Sequence, residues 1–255
     1  MTNRSLRYVI GISTALLTTT AFSLPPVVPG PYFALAVTGS YPMTSTSITT
    51  SARPSSPSVP ATPSEFNNVG TLKQNGGGGG LLELGYRFPC FRVEGEFLYN
   101  YNQNSSLTFP DTQFTSSAYN NVYYLAGATQ EYIGLLNFYY DFRPTAASGS
   151  NVFPYAGVGI GYSKFTTIVN FSVPQVQGGP VINRPDYLSG VKTSLYSTAP
   201  VVQGILGLNL AMDSYMDFFL DLRYLAAASN KTYHTSYQVA TVNLGVSFLL
   251  TKGLS

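Results

Sequence analysis

Charged side chains recur at every second position of several segments, and they are the residues best suited to do chemistry. In segment 91–101, Arg92, Glu94 and Glu96 alternate with apolar and aromatic residues. A period of two places one set on one face of a β-strand, whereas the 3.6-residue period of a helix mixes the two sets. We therefore expect charges of both signs to gather on one face of a sheet or barrel. The set is Glu83, Arg87, Arg92, Glu94, Glu96, Asp141, Asp217, Asp221 and Arg223.

Two roles fit this polar network. Arginine guanidinium groups can bridge the carboxylates through charge-assisted hydrogen bonds and stabilise a closed barrel interior. Alternatively, six acids against three arginines can line a narrow pore that prefers small cations. Because eight strands leave an interior that side chains largely fill, we favour the closed interior. The glycines within 157–161 then make room for larger neighbours.

The sequence offers no arrangement that points to catalysis. The single histidine, His234, has Ser236 nearby, but nothing fixes a nucleophile, a base and an orienting group together. One His and one Cys leave no transition-metal cluster, and the loops hold too few carboxylates for a strong Ca²⁺ site. We interpret the single cysteine, Cys90, as a small turn residue. We expect no enzyme activity, no metal and no cofactor.

Three low-complexity or polar segments fall between the predicted strands. Segment 44–64 is rich in Ser, Thr and Pro, a flexible composition. Segment 76–80 is five glycines without the Gly-Lys-Ser/Thr ending of a phosphate-binding loop, so we predict a loose hinge that enters the second strand. Segment 119–124 combines Tyr and Asn, which suits either a recognition surface or packing over the barrel mouth.

The elements that would position the charged residues are eight β-strands. Period-2 alternation is clearest in 91–101, and the predicted strands are about 9–12 residues long, near the length that crosses a bilayer when tilted. We predict an all-β, antiparallel, up-and-down transmembrane barrel of eight strands with four long extracellular loops. The strands are 32–41, 80–88, 91–101, 132–142, 152–162, 202–210, 216–224 and 240–250.

Composition indicates that the apolar face points outward, towards lipid. Only 9% of residues are charged, against roughly 25% in soluble domains, and the predicted strand faces contain no Lys. Aromatic residues fall at the ends of the apolar faces, as in the girdles of outer-membrane barrels. The predicted girdle is Tyr41, Tyr86, Phe88, Phe91, Tyr99, Tyr101, Tyr132, Tyr140, Phe142, Tyr162, Tyr224 and Phe248.

The N-terminal residues and the connections agree with export to the outer membrane. Arg4 and Arg7 precede an apolar stretch, and Ala21-Phe22-Ser23 has the small residues of a cleavage site, so we predict a signal peptide over 1–23 and a barrel domain over 24–255. Short connections alternate with long ones, as do periplasmic turns and external loops. A net charge of +2 without a Lys/Arg run argues against nucleic acid as a partner.

In three segments the chain resembles the small OmpA-like and opacity-type outer-membrane proteins, and also surface antigens of obligate intracellular bacteria. These are 93–99 (VEGEFLY), 155–162 (YAGVGIGY) and 242–248 (VNLGVSF). The resemblance covers the mature chain as an eight-strand plan. It implies an outer-membrane location in a Gram-negative cell and a role in adhesion, envelope integrity or immune exposure.

We therefore expect a monomeric outer-membrane surface protein with a structural or adhesive role. Its partners would be the lipid bilayer, lipopolysaccharide and a host-surface ligand bound through the loops. One alternative is a small, porin-like channel for small solutes. Another is a soluble periplasmic or secreted ligand-binding β-barrel, in which the apolar faces would point inward.

Overall fold

The fold is known from a computed structural model that describes residues 27–50, 68–109, 121–143, 151–170, 175–176, 192–229 and 236–250. The predicted signal peptide and His234 lie outside these residues, and so does most of the Ser/Thr/Pro-rich segment. No helix among the described residues is long and apolar enough to cross a membrane.

The described residues form ten β-strands, of which eight close a barrel. The barrel strands are β1 (Gly30–Pro42), β3 (Asn68–Arg87), β4 (Phe91–Phe109), β5 (Asn121–Asp141), β6 (Val152–Asn170), β8 (Lys192–Ala211), β9 (Met216–Ala227) and β10 (Tyr237–Leu249). Two short strands, β2 (Thr46–Thr50) and β7 (Gln175–Val176), add to β3 and β5.

Each barrel strand pairs antiparallel with its neighbours along the chain, and β1 pairs with both β10 and β3. The strand β1 thereby closes the sheet, because Phe33 lies opposite both Phe248 and Leu84. Where β1 pairs with both β10 and β3, the barrel wall has no free strand edge. Up-and-down barrels avoid unpaired backbone N–H and C=O groups in this way. The predicted eight-stranded antiparallel barrel is confirmed.

The strands are longer than predicted on the side away from the short turns. The predicted strand 132–142 is the lower half of β5, which has 21 residues, and β3 has 20. The glycine segment 76–80 lies within β3 and pairs with β1 and β4, so the prediction of a loose hinge is wrong. Glycine allows this pairing because Tyr99 and Tyr101 approach its backbone closely, and a Cβ on Gly77 or Gly79 would collide with their carbonyl groups.

Strand length divides the barrel into a tall side and a low side. The five neighbouring strands β3, β4, β5, β6 and β8 have 19–21 residues, whereas β1, β9 and β10 have 12 or 13. A strand of 20 residues rises about 50 Å at a tilt of about 40°, while the apolar band of such barrels is about 25 Å tall. The tall strands therefore extend far beyond that band.

Side chains alternate strictly between the inside and the outside of the wall. In β9, for example, Asp217, Phe219, Asp221, Arg223 and Leu225 are buried, and the residues between them are exposed or half-exposed. The exposed residues include Phe218, Leu220 and Leu222, so the apolar face points outward. The polarity is the reverse of that in a water-soluble barrel.

Candidate functional site: the filled barrel interior

Arg223 is the centre of the charged network inside the barrel. Its Nη2 lies 2.8 Å from both Glu83 Oε1 and Asp221 Oδ2, and its Nη1 donates to Glu96 Oε2. These groups come from β3, β4 and β9, and all four side chains are buried. A single guanidinium presents five N–H donors in a fixed plane and can satisfy three carboxylates in this way.

Two further arginines lie towards the short turns. Arg87 pairs with Asp217, and Arg92 contacts Asp141 at 3.1 Å and Glu94 at 3.0 Å. The Arg92 guanidinium lies over the rings of Tyr139 and Tyr155, 4.6 and 4.7 Å from their centroids. All nine residues of the predicted network are thus inside the barrel, and they form contacts between strands as well as within β4 and β9.

Neutral side chains also donate to the carboxylates of the network, and the sequence alone did not identify them as partners. Asn137 and Gln203 donate to Glu96 Oε2, and Asn243 donates to Asp221 Oδ1 at 2.6 Å. Tyr155 donates to Asp221 Oδ2 at 3.0 Å, and Tyr32 donates to Glu94. The sequence indicates these residues only by the two-residue period of their strands, which places each of them on the inward face. Burial without such partners would leave carboxylate oxygens unpaired at high cost.

Inward glycines fit these large side chains into a narrow interior. A Cβ on Gly157 would lie 2.6 Å from the Tyr139 ring, and a Cβ on Gly207 would overlap the Tyr155 ring. At outward Gly204 and Gly134 nothing lies within 4 Å of the same added atom. Inward glycines are therefore required by packing, whereas these two outward glycines are not.

An apolar layer lies above the Arg223 network, on the side away from the short turns. The inward position directly above the network is a leucine on three strands. These leucines are Leu81 on β3, Leu98 on β4 and Leu225 on β9. On β5, Ile133 and Leu135 occupy the two inward positions above Asn137. All five belong to one contiguous cluster of buried apolar side chains. On the side of β1 and β10 the buried inward residues stay polar, and Thr38 donates to Asn243 Oδ1 at 2.6 Å.

A second polar group, centred on Glu131, lies beyond the apolar layer. Glu131 accepts hydrogen bonds from Tyr237 Oη and from Asn102 Nδ2 at 3.1 Å, and Asn100 Nδ2 lies 3.5 Å away. Close by, Gln74, Asn104, Thr129 and Thr167 are joined by hydrogen bonds. Buried Leu72 and Leu107 occupy the next inward positions above Gln74 and Asn104.

The twelve predicted girdle residues all lie on outward positions or in the adjoining turns, exposed or half-exposed. Around the short turns, Phe88 stacks on Phe91 with ring centroids 4.3 Å apart, and Tyr140 packs edge-on to Phe142 at 4.9 Å. On the other side, Tyr99 packs against Tyr132 at 5.2 Å. Because the tall strands continue upward, these tyrosines lie in mid-strand rather than at strand ends.

Lysine does occur on the strands, contrary to the expectation drawn from the shorter predicted segments. Lys73 of β3 and Lys164 of β6 lie on outward, exposed positions. Lys164 stands opposite Tyr132 in the register of β5 and β6, and Lys73 lies farther up β3, beyond the glycine segment. Both therefore stand at or above the tyrosine rim, where a cationic side chain can reach water or lipid headgroups.

Of the residues considered for chemistry, Cys90 and Ser236 are described, and they lie at opposite ends of the barrel. Cys90 is exposed in the turn between β3 and β4, and Ser236 donates to the backbone carbonyl of Ala227. Among the described residues, no group of three or more His, Cys, Asp or Glu side chains is placed to hold a metal ion.

Comparisons with known proteins return solved structures only. No family model and no curated protein matches the chain. Neisserial surface protein A is similar with a TM-score of 0.47 and 13% identity, over 87% of this chain and 97% of that one. The outer membrane protein OprG of Pseudomonas aeruginosa has a TM-score of 0.47 and 10% identity, over 89% and 98%. For Ail, the attachment invasion locus protein of Yersinia pestis, the values are 0.39 and 13%, over 87% and 99%.

Of these similar structures, OprG is an outer membrane protein.

Proposed function

We propose that this chain is a bacterial outer-membrane surface protein whose barrel anchors it in the bilayer and whose tall strands present loops to the outside. One observation carries the proposal: large apolar side chains are exposed on the outward face of all eight barrel strands. Leu206, Val158 and Ile160 are 66%, 65% and 64% exposed. A protein partner would cover one side of such a surface, whereas a bilayer surrounds all of it.

The same geometry argues against the two other functions that the sequence left open. A soluble ligand-binding barrel would turn these apolar residues inward, and here the buried positions hold the charged groups instead. A pore needs an open passage, but the inward side chains from the Arg223 network to the Glu131 group are buried against one another. Eight strands leave an interior that such side chains largely fill.

The proposed activity of the protein lies in its loops, which we assign to structural or adhesive contact with a host surface or with neighbouring cells. Lipopolysaccharide is the proposed neighbour around the tyrosine rim, where Lys164 stands opposite Tyr132. The protein is proposed to act as a monomer and without catalysis.

Protease treatment of intact cells, followed by mass mapping of the fragments, tests this proposal. We expect cuts in the long connections within 51–67, 110–120 and 177–191, and none in the turn that contains Cys90. The purified protein should also migrate differently on gels before and after heating. Recovery of the intact, uncut protein in the periplasmic fraction would contradict the proposal. Adhesion is tested separately, by comparing host-cell binding before and after the loops are trimmed.

A further inference from the structure

Glu131 differs from every other acid described in the barrel interior. Seven acids are buried there, and six of them lie within 4 Å of an arginine nitrogen: Glu83, Glu94, Glu96, Asp141, Asp217 and Asp221. Glu131 is fully buried, and no described cation lies within that distance. An ionised carboxylate in such a position would be a buried charge without compensation.

The described groups that contact Glu131, or that contact its partners, are neutral. Asn100 and Asn102 come from β4, Tyr237 from β10, and Phe165 stands opposite Glu131 on β6. Ser40 of β1 donates to Asn102 Oδ1 at 2.7 Å. Tyr237 is the one titratable side chain in this described group besides Glu131 itself.

Charged residues on the same strands are directed elsewhere. Lys73 of β3 and Lys164 of β6 lie on the outward face. Glu96, the nearest acid along β4, is separated from Asn100 by the buried Leu98 and is engaged by Arg223. The apolar layer thus keeps the Arg223 guanidinium away from Glu131.

The hydrogen bonds around Glu131 are short of one donor. Asn100 Nδ2 is 3.5 Å from Glu131 Oε2, which is too long for a strong hydrogen bond to a carboxylate. Asn100 Oδ1, on the same amide, is a buried acceptor that receives no hydrogen bond. The group therefore lacks one positive charge and one hydrogen-bond donor at the same place.

We infer that Glu131 is a proton-binding site, held as a neutral carboxylic acid inside the barrel at neutral pH. A proton on Oε2 removes the uncompensated charge and provides an O–H that can donate to the Asn100 amide oxygen once that amide turns. A bound metal cation would supply charge as well, but it would need several oxygen ligands around it. This inference depends on the closed interior and not on the cellular location of the protein.

Two matched variants, Glu131→Gln and Asp217→Asn, test the inference in the purified, folded protein. Gln has the shape of a protonated Glu, so E131Q should leave the unfolding equilibrium constant in urea unchanged or lower it. D217N removes the one described acid that pairs with the buried Arg87, and it should raise that constant by more than about tenfold. A loss of stability in E131Q as large as in D217N would overturn the inference.

Infrared spectroscopy at neutral pH gives a direct readout that does not depend on stability. The difference spectrum between the wild type and E131Q should contain the carbonyl band of a protonated carboxylic acid, whereas that between the wild type and D217N should not. Absence of the band from the wild-type minus E131Q spectrum would contradict the proton site. Dependence of wild-type stability on the choice of Na⁺, K⁺ or a bulky organic cation at constant ionic strength would instead indicate a metal cation, and it would equally overturn the inference.

Discussion

Arg223 Nη2 lies 2.8 Å from Glu83 Oε1, although the two residues are 140 positions apart in the chain. The contact joins β9 to β3 across the interior, and Glu96 and Asp221 converge on the same guanidinium. Removal of one partner from a buried pair leaves an uncompensated charge, which is far more damaging than loss of the contact alone. Arg223 should therefore be the most sensitive charged position in the barrel.

Replacement of Arg223 by Met should lower the free energy of unfolding by about 3–5 kcal/mol, because three buried acids lose their shared cation. The measurement is urea unfolding of the protein in lipid vesicles. Arg143→Met is the matched control, since Arg143 is only partly buried and its Nε lies 4.0 Å from Asp141. Its expected cost is about 1 kcal/mol or less. Equal losses for the two variants would show that Arg223 has no central role.

The inward and outward glycines should respond oppositely to the same substitution. Gly157→Ala places a Cβ 2.6 Å from the Tyr139 ring and should cost about 1–3 kcal/mol of unfolding free energy. Gly204→Ala enters open space and should be neutral or stabilise by up to about 1 kcal/mol. The same unfolding assay measures both. A tolerated G157A would mean that the interior is looser than the Tyr139 contact implies.

A charge on the lipid-facing surface should be costly at mid-height and tolerated near the top of the wall. Leu206 and Thr198 lie on the same outward face of β8, eight positions apart. Leu206→Arg should lose about 2–4 kcal/mol of folding stability in vesicles, whereas Thr198→Arg should lose at most about 1 kcal/mol. In detergent micelles, which deform around a charge, the difference should shrink. No difference in vesicles would argue against a bilayer around Leu206.

Cys90 provides a probe of orientation, because it is the single cysteine and lies exposed in a short turn. A maleimide that cannot cross the outer membrane should fail to label Cys90 on intact cells and should label it after permeabilisation. The matched variant is Cys90→Ala combined with Met43→Cys, since Met43 is exposed just beyond the loop-side end of β1. This variant should react on intact cells. The reverse pattern would place the short turns outside.

The protein should not conduct ions in planar bilayers, because packed, buried side chains fill the interior. Wild-type protein is expected to give a stable baseline over the voltage range at which a porin added to the same membrane gives unit steps. Reproducible steps with slight cation preference would instead support the pore that the acid-rich interior suggested.

The membrane-level part of each strand could be predicted from the sequence, because apolar and polar residues alternate there. The upper parts of the tall strands could not, since polar residues stand on both faces there and interrupt the alternation. In β3, outward Lys73 and inward Gln74 differ little in hydropathy, so the alternation that identifies a strand disappears. The glycine segment was misjudged for a related reason: five residues without side chains have no pattern, and their pairing depends on β1 and β4.

The alternation of inward and outward positions identified the charged residues of the interior. Their partners depend on which strands face one another across the barrel. Tyr155 and Asp221 are 66 positions apart and are joined only when the barrel closes. The isolation of Glu131 depends in the same way on Leu98 and Ile133 and cannot be seen on β5 alone. The sequence therefore predicts which residues are inside and leaves their arrangement to the closed structure.

Because the barrel wall is taller on one side than on the other, the molecule presents two different sides to its neighbours in the membrane. A neighbour on the side of β9, β10 and β1 meets short strands. A neighbour on the opposite side meets strands that extend much higher. The rotational orientation of the molecule about the membrane normal then decides which side a neighbour contacts. Two molecules that collide by lateral diffusion would engage or shield their loops according to the sides that meet.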